Sequence, residues 1–245
     1  MTDRLTTSSP LTKTLGAAAL LAMVTTAVLG LWISPPDVVQ GDSVRPFYVH
    51  VPAIWVAYIA FFVTVVCSVL WLVPRTRDAK WDRIAGASGE IGVVFTAVNL
   101  ITGMLWGRIT WGVYWQWDAR MTSTLLLFVL YLGYLAIRRT TIDPTQRAKR
   151  SAIMALIAAI DIPIVHFSVV WWRTLHQEAS VIRPDLDFEL EGEMLQALLF
   201  GVLAFLLTYG WAVVHRYRLA VLEDEAEERA VAAAIERRRS ELEAV

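Results

Sequence analysis

Six apolar runs, each close to twenty residues long, govern what this chain can become: about 15–33, 51–73, 84–105, 121–137, 152–172 and 194–214. A helix rising ~1.5 Å per residue crosses the ~30 Å hydrocarbon core of a bilayer in about 20 residues. None of the runs alternates strictly in twos, which argues against a barrel. Helices are then the structures able to satisfy their own backbone in lipid. Composition agrees. The 245 residues are 56% hydrophobic and 18% charged, with a mean hydropathy of +0.51, whereas soluble domains sit near 45–50% and about 25%. The expected fold is all-α: a polytopic membrane protein of six transmembrane helices. The first run follows a weakly basic start (Arg4, Lys13), but it is long for a signal-peptide core. The Ser34-Pro35-Pro36 that follows it makes a poor cleavage site, so an uncleaved first helix is expected.

Basic residues orient the spans. The start, the 74–83 loop, the 138–150 loop and the chain after 214 carry 2, 4, 5 and 6 Lys+Arg, together 17 of 22. Excess Lys/Arg marks the cytoplasmic side, so both termini are expected inside. The loops at 34–50, 106–120 and 173–193 are then expected outside. The stretch 218–245 is rich in Ala, Glu and Arg, with Glu225 four residues before Arg229. It reads as a charged cytoplasmic helical tail, set apart from a six-helix domain at 1–217. A net charge of −1 gives no field for nucleic acid. The single cysteine, Cys67, excludes an internal disulfide, a CxxC pair and a zinc cluster.

The outward loops hold the unusual chemistry. Residues 106–118 contain four tryptophans: Trp106, Trp111, Trp115 and Trp117. A helix over 111–118 would put Trp111, Trp115 and Asp118 on one face, an aromatic slab edged by a carboxylate. Trp is common at membrane interfaces, which accounts for the isolated Trp32, Trp71, Trp81 and Trp211. It does not account for a cluster mixed with Gly107, Gly112 and Asp118. His50 lies at the mouth of the second span and His176 at the outer end of the fifth, both on the face of the Trp loop. Two neutral imidazoles flanking an aromatic surface suit axial ligation of haem iron. Arg45, Arg108, Arg120, Arg173 and Arg183 share that face, and guanidinium suits carboxylates such as haem propionates. Arg45 and Arg120 are the leading candidates, with headgroup contact or pairing to Asp42, Asp118 or Glu178 as the alternative for these arginines. Asp161 and His166 are intramembrane polar groups, either functional or a buried hydrogen-bonded pair. On a regular helix His166 would sit about 15 Å from His176, too far to share a metal. Walker, GxSxG, HExxH and CxxCH motifs are missing, so neither ATP hydrolysis nor covalent haem attachment is encoded here.

The segment Trp111-Gly112-Val113-Tyr114-Trp115-Gln116-Trp117-Asp118 resembles the WWD motif of haem-handling membrane proteins. Tyr48-Val49-His50-Val51-Pro52, Trp117-Asp118-Ala119-Arg120-Met121-Thr122-Ser123 and Pro163-Ile164-Val165-His166-Phe167-Ser168, which runs on to Leu175-His176-Gln177, resemble the cytochrome c maturation protein C family in particular. The resemblance implies a haem-handling protein of the bacterial cytoplasmic (inner) membrane, with a periplasmic WWD loop at 106–120. It implies that haem b (iron protoporphyrin) is bound transiently. The haem is presented for covalent attachment to a membrane-anchored haem chaperone, a delivery role rather than conventional enzymology. The implied partners are that chaperone, an ABC-type ATPase subunit, a second membrane subunit and a small single-span helper. By motif match His50 and His176 are axial ligands, while Trp111, Trp115, Trp117 and Asp118 form the platform. Glu178 and the acidic residues Asp185, Asp187, Glu189, Glu191 and Glu193 follow closely on His176. A membrane transferase using a His–Asp pair without haem, a haem-free scaffold and a transport channel are the competing expectations.

Overall fold

The computed structural model describes residues 7–176, 190 and 192–243. Arg4, Gln177, Glu178, Arg183, Asp185, Asp187, Glu189 and Glu191 lie outside the described residues. Among the described residues six helices or helix pairs are long and apolar enough to cross a membrane, and no strand occurs. Helix α1 (Pro10–Val28) starts at a Ser9–Thr12 capping box with Pro10 at its first position and continues into a π turn at Leu29–Ile33. Helix α2 is Phe47–Leu72, one turn earlier than the apolar run suggested, which puts His50 in its first turn and Pro52 just inside it. Helix α3 (Ala79–Trp111) is capped by Asp78 and ends on Gly112 at φ +78°. Helix α4 (Ala119–Thr140) is capped by Asp118, which accepts from the Met121 N–H at 2.8 Å.

The fifth span is two helices, α5 (Pro144–Ala159) and α6 (Asp161–Trp171), where one unbroken run was expected. Pro163 has no N–H to give the Ala159 carbonyl and its ring crowds that carbonyl, so the helix breaks at Ile160. The sixth span and the expected tail form one helix, α7 (Gly192–Glu243), with no break near residue 218. Its side chains become uniformly exposed only from Ala226 onward, and the expected Glu225–Arg229 pair is present at 3.0 Å.

Small residues let the helices approach. A Cβ at Gly92 would lie 2.5 Å from the Phe61 ring, and one at Gly89 would lie 2.7 Å from Tyr134. The core joins α2, α3, α4, α5 and α7 around Phe61, Phe95, Leu127, Tyr131 and Phe205. Trp71 belongs to the interior at 8% exposure and is not a belt residue, while Trp32 is 74% exposed. At the basic end of the bundle Arg138 grips Asp82 through two bonds of 2.5 and 3.0 Å, Arg83 pairs with Asp224 and Arg216 with Glu90. The opposite end gathers the start of α2, the end of α3, the start of α4 and the segment after α6.

Candidate haem-handling site

That opposite end brings His50, Arg120 and His176 together around one cavity of about 50 Å³, which Tyr58, Asn99, Gly103 and Thr124 also line. His50, Ile54 and Tyr58 recur every four residues on one face of α2, so they reach the same space. The His50 ring edge packs on Gly103, and its Nδ1 lies 3.0 Å from the Asn99 carbonyl and 3.1 Å from Thr102 Oγ1. The Asn99 side chain donates to the His50 carbonyl at 3.1 Å. Trp106 packs edge-on against His50 with centroids 5.7 Å apart, and its indole donates to Gln40.

His176 arrives from non-helical chain beyond Trp171, so the regular-helix distance from His166 does not apply. Its Nδ1 lies 3.3 Å from Asp118 Oδ2, and the Leu175 N–H donates to the same oxygen at 3.2 Å. Asp118 thus caps α4 with one oxygen and fixes the His176 segment with the other. Burial, aided by the Arg120 charge, holds the His176 imidazole below its ordinary pKa, although Asp118 pulls the other way. The ring is therefore neutral near pH 7, as an iron ligand must be.

Arg120 donates from Nε to Ser168 Oγ at 2.9 Å and from a terminal nitrogen to the His166 carbonyl at 3.0 Å. These bonds tie α4 to α6 and leave a guanidinium facing the cavity between the imidazoles. Arg45 does not line this cavity. It donates to the Gly30 and Ser34 carbonyls at 2.7 Å each and to Asp42 at 2.8 Å, pinning the end of the first span. Arg108 closes the tryptophan loop through the Gly112 carbonyl and lies over the Tyr114 ring, and Arg173 is exposed. Of the two readings of Asp161 and His166, the hydrogen-bonded pair is not formed. The His166 ring packs edge-on against Tyr58 and Phe167, and Asp161 Oδ2 finds no partner among the described residues.

The tryptophans do not form a helical face, because α3 stops at Trp111 and residues 112–118 are irregular. Trp111 instead packs edge-on against His176, with centroids 4.8 Å apart. Trp115 packs edge-on against Trp117, which is 73% exposed. The Trp115 Nε1 is buried without a partner among the described residues.

A family model described as Heme exporter protein C matches residues 2–232. The chain belongs to the heme exporter protein C family. Heme exporter protein C of Bradyrhizobium diazoefficiens is 41% identical over 193 residues, covering 79% of this chain and 72% of that one. Heme exporter protein C of Haemophilus influenzae is 39% identical over 202 residues, covering 81% and 80%. A ccmC-like mitochondrial protein of cytochrome c biosynthesis from Marchantia polymorpha is 40% identical over 153 residues, covering 62% and 64%. As a member of the heme exporter protein C family the chain is a multi-pass membrane protein with a role in haem handling for cytochrome c maturation. Asn99, Thr102, Gly103 and Tyr58 were not foreseen in the sequence. An asparagine inside an apolar span is itself a signal of function, and it stands about two turns of α3 before Trp106.

Proposed function

We propose that this chain binds haem b where His50, Arg120 and His176 converge and presents it at the outer face of the bacterial cytoplasmic membrane. There a membrane-anchored haem chaperone takes it covalently. One observation carries the reading: two partly buried imidazoles and a guanidinium, drawn from α2, α4 and the segment after α6, line a single cavity. That donor set suits iron and a propionate. The basic end with its ion pairs faces the cytoplasm on the charge rule, which turns the haem end outward. The gap of about 50 Å³ is far smaller than a porphyrin. Binding therefore moves the non-helical segment carrying His176 away from α2 and α3. In this reading Arg120, rather than Arg45, meets a propionate, since Arg45 is occupied by two carbonyls and Asp42. Trp111 backs His176, and the exposed Trp117 with its neighbour Trp115 forms the surface that meets haem and chaperone. An ABC-type ATPase subunit, a second membrane subunit and a small single-span helper complete the proposed assembly. The chain's contribution is positioning, which is worth up to ~7–11 kcal/mol in favourable cases.

The His176–Asp118 contact favours one other reading, a transferase dyad. Among the described residues it has no free aliphatic hydroxyl as nucleophile: Thr124, the one that lines the cavity, donates to the Arg120 carbonyl at 2.7 Å. Absorption spectra of the purified protein, co-expressed with the chaperone, separate the two. A Soret band altered in both His50→Ala and His176→Ala supports haem presentation. No haem in the parent protein, with function lost only in His176→Ala, overturns it in favour of the dyad.

A further inference from the structure

We infer that the basic end of the bundle holds a site for one phospholipid with an anionic headgroup, whose phosphate is taken by Arg139 and Arg147. The site lies opposite the end where His50 and His176 gather and does not depend on the haem reading. A cavity of about 190 Å³ sits there over α3, walled by α4, α5 and α7. Five arginines line it: Arg83, Arg138, Arg139, Arg147 and Arg216. Three are committed to carboxylates. Arg83 bonds Asp224 at 2.7 Å, Arg138 holds Asp82, and Arg216 meets Glu90 at 2.6 Å and Glu223 at 3.4 Å. The other two are not. The Arg139 side chain is exposed and makes no bond among the described residues. The Arg147 guanidinium makes no hydrogen bond there either. Its nearest carboxylate oxygens, on Asp82 and Asp224, are 3.8 and 4.0 Å away, and its Nε is buried without a partner.

Charge decides which anion fits. Glu90, Glu223 and Asp224 also line the cavity and oppose an anion, and Asp82 stands behind Arg138. Five guanidinium groups against these four carboxylates leave one positive charge over. A phosphodiester carries one negative charge and balances it, whereas a nucleoside triphosphate overshoots. Guanidinium meets phosphate through paired N–H donors, and basic pockets between membrane helices suit lipid headgroups.

The surroundings favour a lipid as the source of that phosphate. Arg83, Ala87, Glu90, Val94 and Ile101 recur at helical spacing on one face of α3. The floor of the cavity therefore continues into Val94 and Ile101, which are 56% and 58% exposed. On α4, Leu132, Ala136 and Arg139 make a second exposed stripe that ends at Arg139. Both helices are long and apolar enough to cross a membrane, so these stripes meet acyl chains. A lipid lying along them brings its phosphate to the cavity that Arg139 and Arg147 line, while a soluble anion makes no use of the stripes.

The test uses full-length protein in detergent micelles carrying equal amounts of phosphatidylglycerol and phosphatidylcholine, with native mass spectrometry reading the lipid that stays bound. The parent protein is expected to retain one phosphatidylglycerol in preference. Arg139→Ala alters an exposed side chain without a partner, so the fold is untouched, and the preference is expected to fall about fivefold, the scale of one arginine at a membrane surface. Arg147→Gln is expected to lower it by at least as much; if that variant does not fold, Arg139→Ala decides alone. Arg150→Ala removes an exposed charge from the same end but outside the cavity and should leave the preference intact. An equal loss in Arg150→Ala means diffuse attraction and overturns the site, as does a parent protein without preference. Melting temperature separates the two sources of phosphate: phosphatidylglycerol is expected to raise it and inorganic phosphate is not. An equal rise with inorganic phosphate, abolished by Arg139→Ala, means a site for a free anion and overturns the lipid.

Discussion

Replacing Gly103 with alanine tests the placement of His50 with a single methyl group. The added Cβ would stand 2.8 Å from His50 Cε1, where ordinary contact begins at 3.4 Å, so the ring must retreat by about 0.6 Å. The ring has little freedom to do so, being held at 3.0 Å by the Asn99 carbonyl and at 3.1 Å by Thr102. Binding constellations tolerate about 0.5 Å of misplacement, and overpacking of this kind costs about 1–3 kcal/mol. The expected result is a Soret band shifted toward single-imidazole ligation together with a lower melting temperature in detergent. The same alanine in a His50→Ala background meets no ring, so there it should be nearly silent, and the double-mutant cycle should return most of the stability loss as coupling. A Gly103→Ala protein with the parent spectrum and the parent melting temperature would refute the packing of His50 on α3.

Arg120→Gln removes the charge and loosens the bonds to Ser168 and the His166 carbonyl; a stability loss of about 2 kcal/mol and poorer haem retention on a desalting column are expected, and unchanged retention would remove Arg120 from the site. Because burial holds His176 below its ordinary pKa, protons compete with iron only under more acidic conditions than for a free histidine. Haem retention should stay flat from pH 8 to 6.5 and decline below that, and half-release at or above pH 6.5 would contradict the assignment. Arg138→Ala leaves the Asp82 carboxylate, which is 10% exposed, without its bidentate partner. A loss of about 3–5 kcal/mol is expected, read as an earlier melting transition with no change in the haem spectrum of the protein that remains folded.

The six spans were legible because bilayer thickness fixes helix length and composition marks lipid contact. Their internal geometry was less so. Pro163 is plainly a breaker, yet the run 152–172 is apolar on both sides of it, and hydropathy does not register a missing N–H. The start of α2 at Phe47 escaped notice because the polar His50 interrupts the apolar pattern while the backbone does not. The site was half visible. His50, His176, Arg120 and the tryptophans stand out by type and by sharing one membrane face. The role of Asp118 as cap and as His176 partner depends on where α4 begins. Asn99, Thr102 and Gly103 act through the face of α3 that meets α2, and nothing in a single sequence says which face of a uniformly apolar helix turns toward its neighbour. Arg45 shows the converse, since its residue type suits a propionate while its position commits it to the end of the first span.

Helix α7 is 52 residues long without a proline, about 78 Å from end to end at ~1.5 Å per residue. It begins 16 residues after His176 and ends well past the paired charges of Arg83 and Asp224. With no joint between the apolar stretch and the charged one, a rigid tilt of either is a tilt of both. A tilt of about 5° carries either tip roughly 3–4 Å, the scale of a helix rise of two residues. Anything that grips the exposed end therefore has mechanical leverage on the end where the histidines gather, across the full thickness of the bilayer and without a soluble messenger.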